Sequence, residues 1–325
     1  MGYGLTWRLL AAGHAVAHLN RGSFPDPFGE RIERLRGDRA SDDFDRLLRG
    51  RRFDAVVDFA AFRGADVARA LRVLRGSGAH YVLISTGQVY LVREGCAVPA
   101  RETDYAGPLL PAPADPRDKA EWDYGVGKRQ CEDALAAAWE RDGFPATRLR
   151  IPMVDGERDP QRRLEGYLWR ILDGGPLLLP DGGARAVRHV YAGAVVRAIA
   201  ELLGRSDTYG QAYNLSQDEM PTLREFCTLL AEVLGAPARL VDVPEAEIRA
   251  AGLETKAVSP FSVRWMSCID PARAKAELGF RHEPLREYVG RIVAAFLARL
   301  PAEPPPGYAQ RAGELQLAAR LPLSS

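Results

Sequence analysis

An α/β chain with a doubly wound parallel sheet is the fold class that this sequence predicts, and three observations predict it. Short apolar runs alternate with longer amphipathic segments through the first half. Several of those runs are continuous rather than alternating, as in strands covered by helices on both faces. At 325 residues the chain can bury a large core, enough for one large or two medium domains.

Residues 5–12 predict a helix that Gly13 stops, and residues 15–19 a buried strand leading into Asn20-Arg21-Gly22. Residues 42–48 follow as a helix, 53–59 as a strand centred on Val56 and Val57, and 67–74 as a helix. Residues 81–85 form another buried strand, followed by Thr86-Gly87. A long loop rich in Pro, Asp and Gly covers 93–119, then comes a helix over 124–139 and a strand over 146–151. Crossovers between such strands are right-handed in nearly every case.

The second half is less regular. Helices are expected over 164–172 and 192–203, and another to about 234, with Thr222 as N-cap and Glu225 completing a capping box. A short strand at 240–243, a helix at 271–278 and an amphipathic helix at 285–300 complete the ordered part. Pro301 and Pro304 to Pro306 then predict a loosely packed extension. The expected domains are 1–155 for nucleotide binding, and 156–300 mainly for substrate, with some segments returning to the first domain. Residues 301–325 form a Pro-rich tail.

Forty-four basic and 43 acidic residues leave a formal charge of +1, which argues against a nucleic-acid or membrane partner recognised through bulk charge. Cys96, Cys131, Cys227 and Cys268 lie far apart, without the close spacing of zinc sites or redox dithiols, and a reducing cytosol is expected. No apolar run is long enough to span a bilayer, and Arg8 and His14 break any secretory pattern. The expected location is cytoplasmic.

Tyr124-Gly125-Val126-Gly127-Lys128 carries the chemistry. At a helix start, residues four apart share a face, and an ammonium beside a phenol favours phenolate. The bare pair also fits a solvated helix face. Ser85 and Thr86 end a strand at the sheet edge where ligands bind in open α/β folds, so either hydroxyl could hold a substrate oxygen. They could also simply end the strand in a turn.

With these motifs in order, the chain resembles the extended short-chain dehydrogenase/reductase superfamily, in its NAD-dependent epimerase/dehydratase branch. The resemblance runs from Leu9-Leu10-Ala11-Ala12-Gly13-His14 to Leu278-Gly279-Phe280. It includes Leu19-Asn20-Arg21-Gly22, Ile84-Ser85-Thr86-Gly87-Gln88-Val89-Tyr90, Arg150-Ile151-Pro152, His189-Val190-Tyr191 and Ala212-Tyr213-Asn214-Leu215. It implies a Rossmann-like domain and a smaller, mixed C-terminal substrate region. It implies Tyr124 as acid/base, Lys128 steadying the nicotinamide ribose and tuning Tyr124, and Ser85 or Thr86 orienting the substrate, with Thr86 favoured. Hydride transfer to or from nicotinamide is the implied chemistry.

The resemblance also breaks. Gly2 aligns with the last glycine of the family's cofactor turn, and the first strand and earlier glycines have no counterpart here. A start upstream of Met1 is the favoured explanation; otherwise the sheet lacks its middle strand and exposes apolar neighbours. Asn20-Arg21 stands where NAD enzymes carry a ribose-binding acid, which favours NADP over NAD. Asp38, Ala60 and Ala61 are placed to border the adenine, and Pro152 joins the cofactor set; Asp38 also suits a turn. Arg185 and His189 are candidates for substrate phosphates, with a structural His189 as the alternative.

The expected function is an NAD(P)-dependent oxidoreductase or epimerase on a sugar nucleotide or another small hydroxyl or carbonyl compound. Gly87-Gln88 after Thr86 counts against a dehydratase. A nucleotide- or RNA-binding protein without turnover is the alternative, and a homodimer is possible.

Overall fold

The computed structural model describes residues 1–24 and 26–321, which divide into two units. The first comprises Met1–Ile151, Ala192–Leu215 and Ile269–Arg281; the second takes Pro152–Tyr191, Ser216–Cys268 and the chain from His282 onward.

In chain order the first unit opens with helix α1 (Gly2–Ala11), strands β1 (Val16–Asn20) and β2 (Ile32–Arg36), and helix α2 (Asp43–Leu48). Strand β3 (Ala55–Asp58), helix α3 (Gly64–Leu74), strand β4 (His80–Thr86) and the short helix α4 (Gln88–Leu91) follow. A long helix α5 (Pro116–Asp142) leads to strand β5 (Ala146–Ile151). The second unit then supplies β6 (Met153–Asp155), α6 (Arg163–Leu172), β7 (Pro176–Pro180) and β8 (His189–Tyr191).

The chain returns to the first unit for α7 (Ala192–Leu202) and β9 (Ala212–Asn214). It crosses back for α8 (Leu223–Leu234), β10 (Arg239–Val243), α9 (Glu245–Ala250) and α10 (Thr255–Val258). Helix α11 (Ala272–Leu278) belongs to the first unit, and α12 (Leu285–Ala298) and α13 (Arg311–Ala318) to the second.

All pairings between these strands are parallel. In the first unit they form two sheets, β1-β2 and β3-β4-β5-β9. Among the described residues no strand joins β1 to β3. The consequence shows in burial: every residue of β4 is buried, whereas Val16, Ala17 and Leu19 of β1 and Ala55, Val56 and Val57 of β3 are only half-buried. Both pieces still rest on one helical layer, because Leu35, Phe44, Val67, Leu71, Tyr81 and Leu135 share a core with Ala17, Leu19 and Val56.

Among the departures from expectation, three bear on the site and the cores. Helix α5 begins at Pro116 rather than near Tyr124, so Tyr124 sits two turns inside it. Asp115 caps it by accepting from the N–H groups of Arg117 and Asp118 at 2.9 and 3.1 Å, and Pro116 occupies the first turn. Strand β2 went unforeseen because Ile-Glu-Arg-Leu-Arg carries only two apolar residues, Ile32 and Leu35, and those two are the ones buried. The tail is not a loose extension over residues 306–318: a 3₁₀ turn at Pro306–Gln310 leads into α13, whose Leu317 and Ala318 join Leu178, Val241, Val243 and Ile248 in a core of the second unit.

Candidate active site

Thr86 ends β4, and Asp58, one strand over, ends β3, so both stand at the carboxyl edge of the four-stranded sheet. Asp58 shapes the turn that follows it. One carboxylate oxygen accepts the N–H groups of Ala60 and Ala61 at 2.8 and 2.9 Å, and the other accepts from the Tyr81 hydroxyl at 2.6 Å. Arg39 also donates to both oxygens. Burial pushes this carboxyl up, but Arg39, Tyr81 and the turn amides outweigh it and hold it below the usual value.

Helix α5 lies against that turn because its glycines allow it. A Cβ on Gly127 would stand 2.3 Å from the Phe62 carbonyl oxygen, and one on Gly125 would stand 2.9 Å from the Gln88 carbonyl oxygen. The close approach brings Lys128, 2 % exposed, to donate to the carbonyls of Ala61 at 2.8 Å and Ile84 at 2.6 Å. An ammonium has three N–H donors, and two are spent on backbone. Burial pushes its pKa down.

Tyr124 lies near enough to Thr86 for the threonine hydroxyl to bear on its phenol. The phenol is not held as a phenolate: burial pushes it up, Thr86 works against that, and Glu121 adds to the rise. The sequence expectation that Lys128 lowers the Tyr124 pKa is therefore corrected for this state. The ammonium is turned onto two carbonyls.

Ser85 and Thr86 part company here. The pleat sends neighbouring side chains to opposite faces, and Ser85 donates its hydroxyl into the core, to Glu132. Glu132 is fully buried and takes Arg150 through Nε and Nη2, the latter at 2.6 Å; Arg150 also donates to the Tyr90 hydroxyl at 2.6 Å. Ser85 thus belongs to a buried network below the site. Glu132 lies four residues after Lys128 on α5, and its network escaped the sequence reading. So did the bond from the Gln88 amide to Glu121 Oε2 at 2.9 Å, and Phe62, whose half-exposed ring lies 6.2 Å from the Tyr124 ring and 5.3 Å from the Lys128 nitrogen.

The remaining candidates separate. Gly2 opens α1, where a Cβ would be 4.0 Å from the Phe59 ring. Asn20 and Arg36 are register partners at the ends of β1 and β2, and the Asn20 side chain accepts from Arg36 and from the Gly22 N–H. The Arg21 side chain is 72 % exposed and reaches Asp38 only at 3.9 Å. Asp38 proves to be a turn residue, accepting the Ala40 N–H at 2.9 Å. Pro152 opens the second unit, which also holds Arg185, exposed on a loop, and His189. His189 is fully buried, its ring against Phe226 and Phe261 and its Nδ1 2.7 Å from Asp155. It is a core residue of that unit, which corrects its candidacy as a phosphate ligand.

Comparisons with known proteins bear on the same stretch of chain. The model of the NAD dependent epimerase/dehydratase family matches residues 65–216, which contain Thr86, Tyr124 and Lys128. The family's fold extends over the chain: a Methanothermobacter thermautotrophicus epimerase superposes with a TM-score of 0.72 at 19% identity, covering 92% of this chain and 89% of its own. The UDP-glucose 4-epimerase of Thermotoga maritima, solved with UDP-glucose, gives 0.72 at 20% identity over 92% of this chain and 96% of its own. A curated relative, the 2'-dehydrokanamycin reductase of Streptomyces kanamyceticus, is 28% identical over 83% of this chain and 74% of its own length. Family and relatives together point to an NAD-dependent type of enzyme.

A nicotinamide dinucleotide needs donors toward a ribose and toward its phosphates, and two parts of the first unit carry such donors. Lys128 keeps a third ammonium donor beyond the two carbonyls it holds. Arg21 and Arg36 stand near the carboxyl ends of β1 and β2, and the N–H groups at the start of α1 bear no side chain at Gly2 or Gly4.

Proposed function

We propose that this chain is an NAD(P)-dependent reductase of a small, sugar-like ketone. The observation that carries the reading is Thr86 at the end of β4 with Tyr124 close to it on α5 and Lys128 one turn further along the same helix. When bound, the nicotinamide cofactor supplies the hydride. Thr86 binds the substrate carbonyl oxygen, and Tyr124 gives that oxygen its phenolic proton, so that C=O becomes CH–OH. The phenolate left behind regains a proton from water. The third donor of Lys128 holds the ribose.

A reductase is preferred to an epimerase because the phenol is held protonated, in the form that donates. The name of the Streptomyces relative, a reductase, supports the same direction. NADP is preferred to NAD: Arg21 and Arg36 offer two guanidinium groups to a 2′-phosphate, and the end of β1 supplies no carboxylate. Arg185, in the second unit, is retained as a candidate contact for an anionic substrate group.

The test is a fluorescence titration with NADPH and NADH, followed by NADPH consumption with a panel of keto-sugars. Wild type should bind NADPH more tightly and turn it over, and Tyr124→Phe should bind it equally while losing at least about 100-fold in turnover. Absence of saturable binding, or full activity in Tyr124→Phe, would sink the reading.

A further inference from the structure

Each backbone N–H from residue 60 to residue 63, in the turn between β3 and α3, is taken by a carboxylate. Asp58 accepts those of Ala60 and Ala61, and Asp66 accepts those of Phe62 and Arg63 at 2.8 and 3.0 Å. Arg39 ties the two acids together, donating to Asp58 and standing 3.8 Å from Asp66. On the helix side, Lys128 donates to the Ala61 carbonyl, and the Phe62 carbonyl faces the bare Cα of Gly127. The side chain that this fixed turn presents is apolar: Phe62 is 50 % exposed. A lone exposed phenylalanine is ordinary on a protein surface. This one stands on an anchored backbone, with its ring centroid 6.2 Å from that of Tyr124 and 5.3 Å from the Lys128 nitrogen.

We propose that Phe62 is a specificity-determining residue, whose ring stacks on the C–H face of a six-membered sugar ring while Thr86 and Tyr124 hold that sugar's carbonyl oxygen. The inference rests on the reductase reading above and narrows its substrate to a cyclic ketone. An aromatic face combines apolar area with partial negative charge, which suits the polarised C–H bonds of a pyranose. The anchored turn adds to this, because little freedom is lost there when the sugar docks. A neutral sugar suits this ring better than the oxidised nicotinamide does. The Lys128 ammonium already lies over the ring, and a second cation against it would be repelled.

The test uses the full chain with NADPH and two ketones, a methyl keto-pyranoside and open-chain dihydroxyacetone. In Phe62→Leu, which keeps apolar bulk but removes the aromatic face, the ratio of the cyclic to the open-chain kcat/KM should fall about 3- to 10-fold. The fall should lie mainly in KM for the cyclic ketone, and Phe62→Tyr should restore the ratio. An unmoved ratio, or one that falls as far in Phe62→Tyr, overturns the proposal. A loss of NADPH affinity with an unmoved ratio assigns the ring to the nicotinamide and also overturns it. Saturation-transfer NMR with a methyl pyranoside needs no turnover: transfer from the protein to the ring C–H protons should occur in wild type and be lost in Phe62→Leu. Transfer absent from wild type, or kept in Phe62→Leu, overturns the stacking. Transfer lost in Phe62→Leu by a protein that reduces no ketone upholds the stacking and overturns the reductase reading.

Discussion

His80 opens β4 with no exposed surface, its Nε2 2.9 Å from the Thr147 hydroxyl and its Nδ1 accepting the Gly204 N–H at 3.0 Å. An acceptor at Nδ1 must be unprotonated, and burial pushes the imidazole down to about 4 from an ordinary 6.5. Between those values the unfolded chain binds the extra proton. The stabilisation is therefore complete above about pH 6.5 and is lost as pH falls toward 4, by at most about 3 kcal/mol. Urea denaturation of wild type and His80→Gln at pH 7.5 and 4.5 should show a steeper loss in wild type; parallel losses would rule this out. The same residue scale settles Ser85 and Thr86. Their hydroxyls are alike in sequence, but the pleat aims one at Glu132 and leaves the other for Tyr124.

At the scale of elements, the Tyr-Gly-Val-Gly-Lys segment is a packing device as well as the candidate site's source of a phenol and an ammonium. Its glycines lower the intrinsic helix propensity of α5, a cost of about 1 kcal/mol each relative to alanine. In return the helix lies against α4 and the turn after β3. Gly127→Ala should reverse that trade, because its methyl would meet the Phe62 carbonyl oxygen rather than a flexible side chain. A loss of about 1–3 kcal/mol is expected, with weaker cofactor binding as Lys128 leaves the Ala61 carbonyl. Thermal melting and the NADPH titration check it; an unchanged melting temperature would show that the turn simply moves aside. The capping box at Thr222 and Glu225 formed as the sequence predicts, since local hydrogen bonds need only local spacing.

At the scale of the molecule, each unit carries its own core, and the second is tied to the end of the described chain by charge. Arg170 of α6 and Glu314 of α13 are fully buried together; Glu314 also takes Arg311, which donates to Asp173. Removing the shared carboxylate would leave two guanidinium groups buried without it. Glu314→Ala should cost about 3–5 kcal/mol, read as a lower urea midpoint. A midpoint equal to wild type would show that the last helix is not integral to the second unit. The divided sheet belongs to this scale as well. Two parallel pieces, β1-β2 and β3-β4-β5-β9, share a helical layer while their half-buried apolar residues lie beside no common strand.

From sequence alone came the α/β class, β5 at its observed bounds and the Thr222 cap, and the sequence also offered Ser85 or Thr86 with Tyr124 and Lys128 as candidates for one site. These rest on local periodicity, short-range hydrogen bonds and fixed spacings, which a linear chain already contains. The tertiary structure alone decided what depends on distant neighbours. It turned the Lys128 ammonium onto carbonyls from β4 and from the turn after β3, and it buried His189 against Asp155 where a ligand contact had been considered. It joined Gln88 to Glu121, 33 residues away, and Arg170 to a glutamate 144 residues away. Spacing along a chain cannot show which charges will be enclosed together. Packing decides that, because a buried charge must find its partner wherever the fold has placed one.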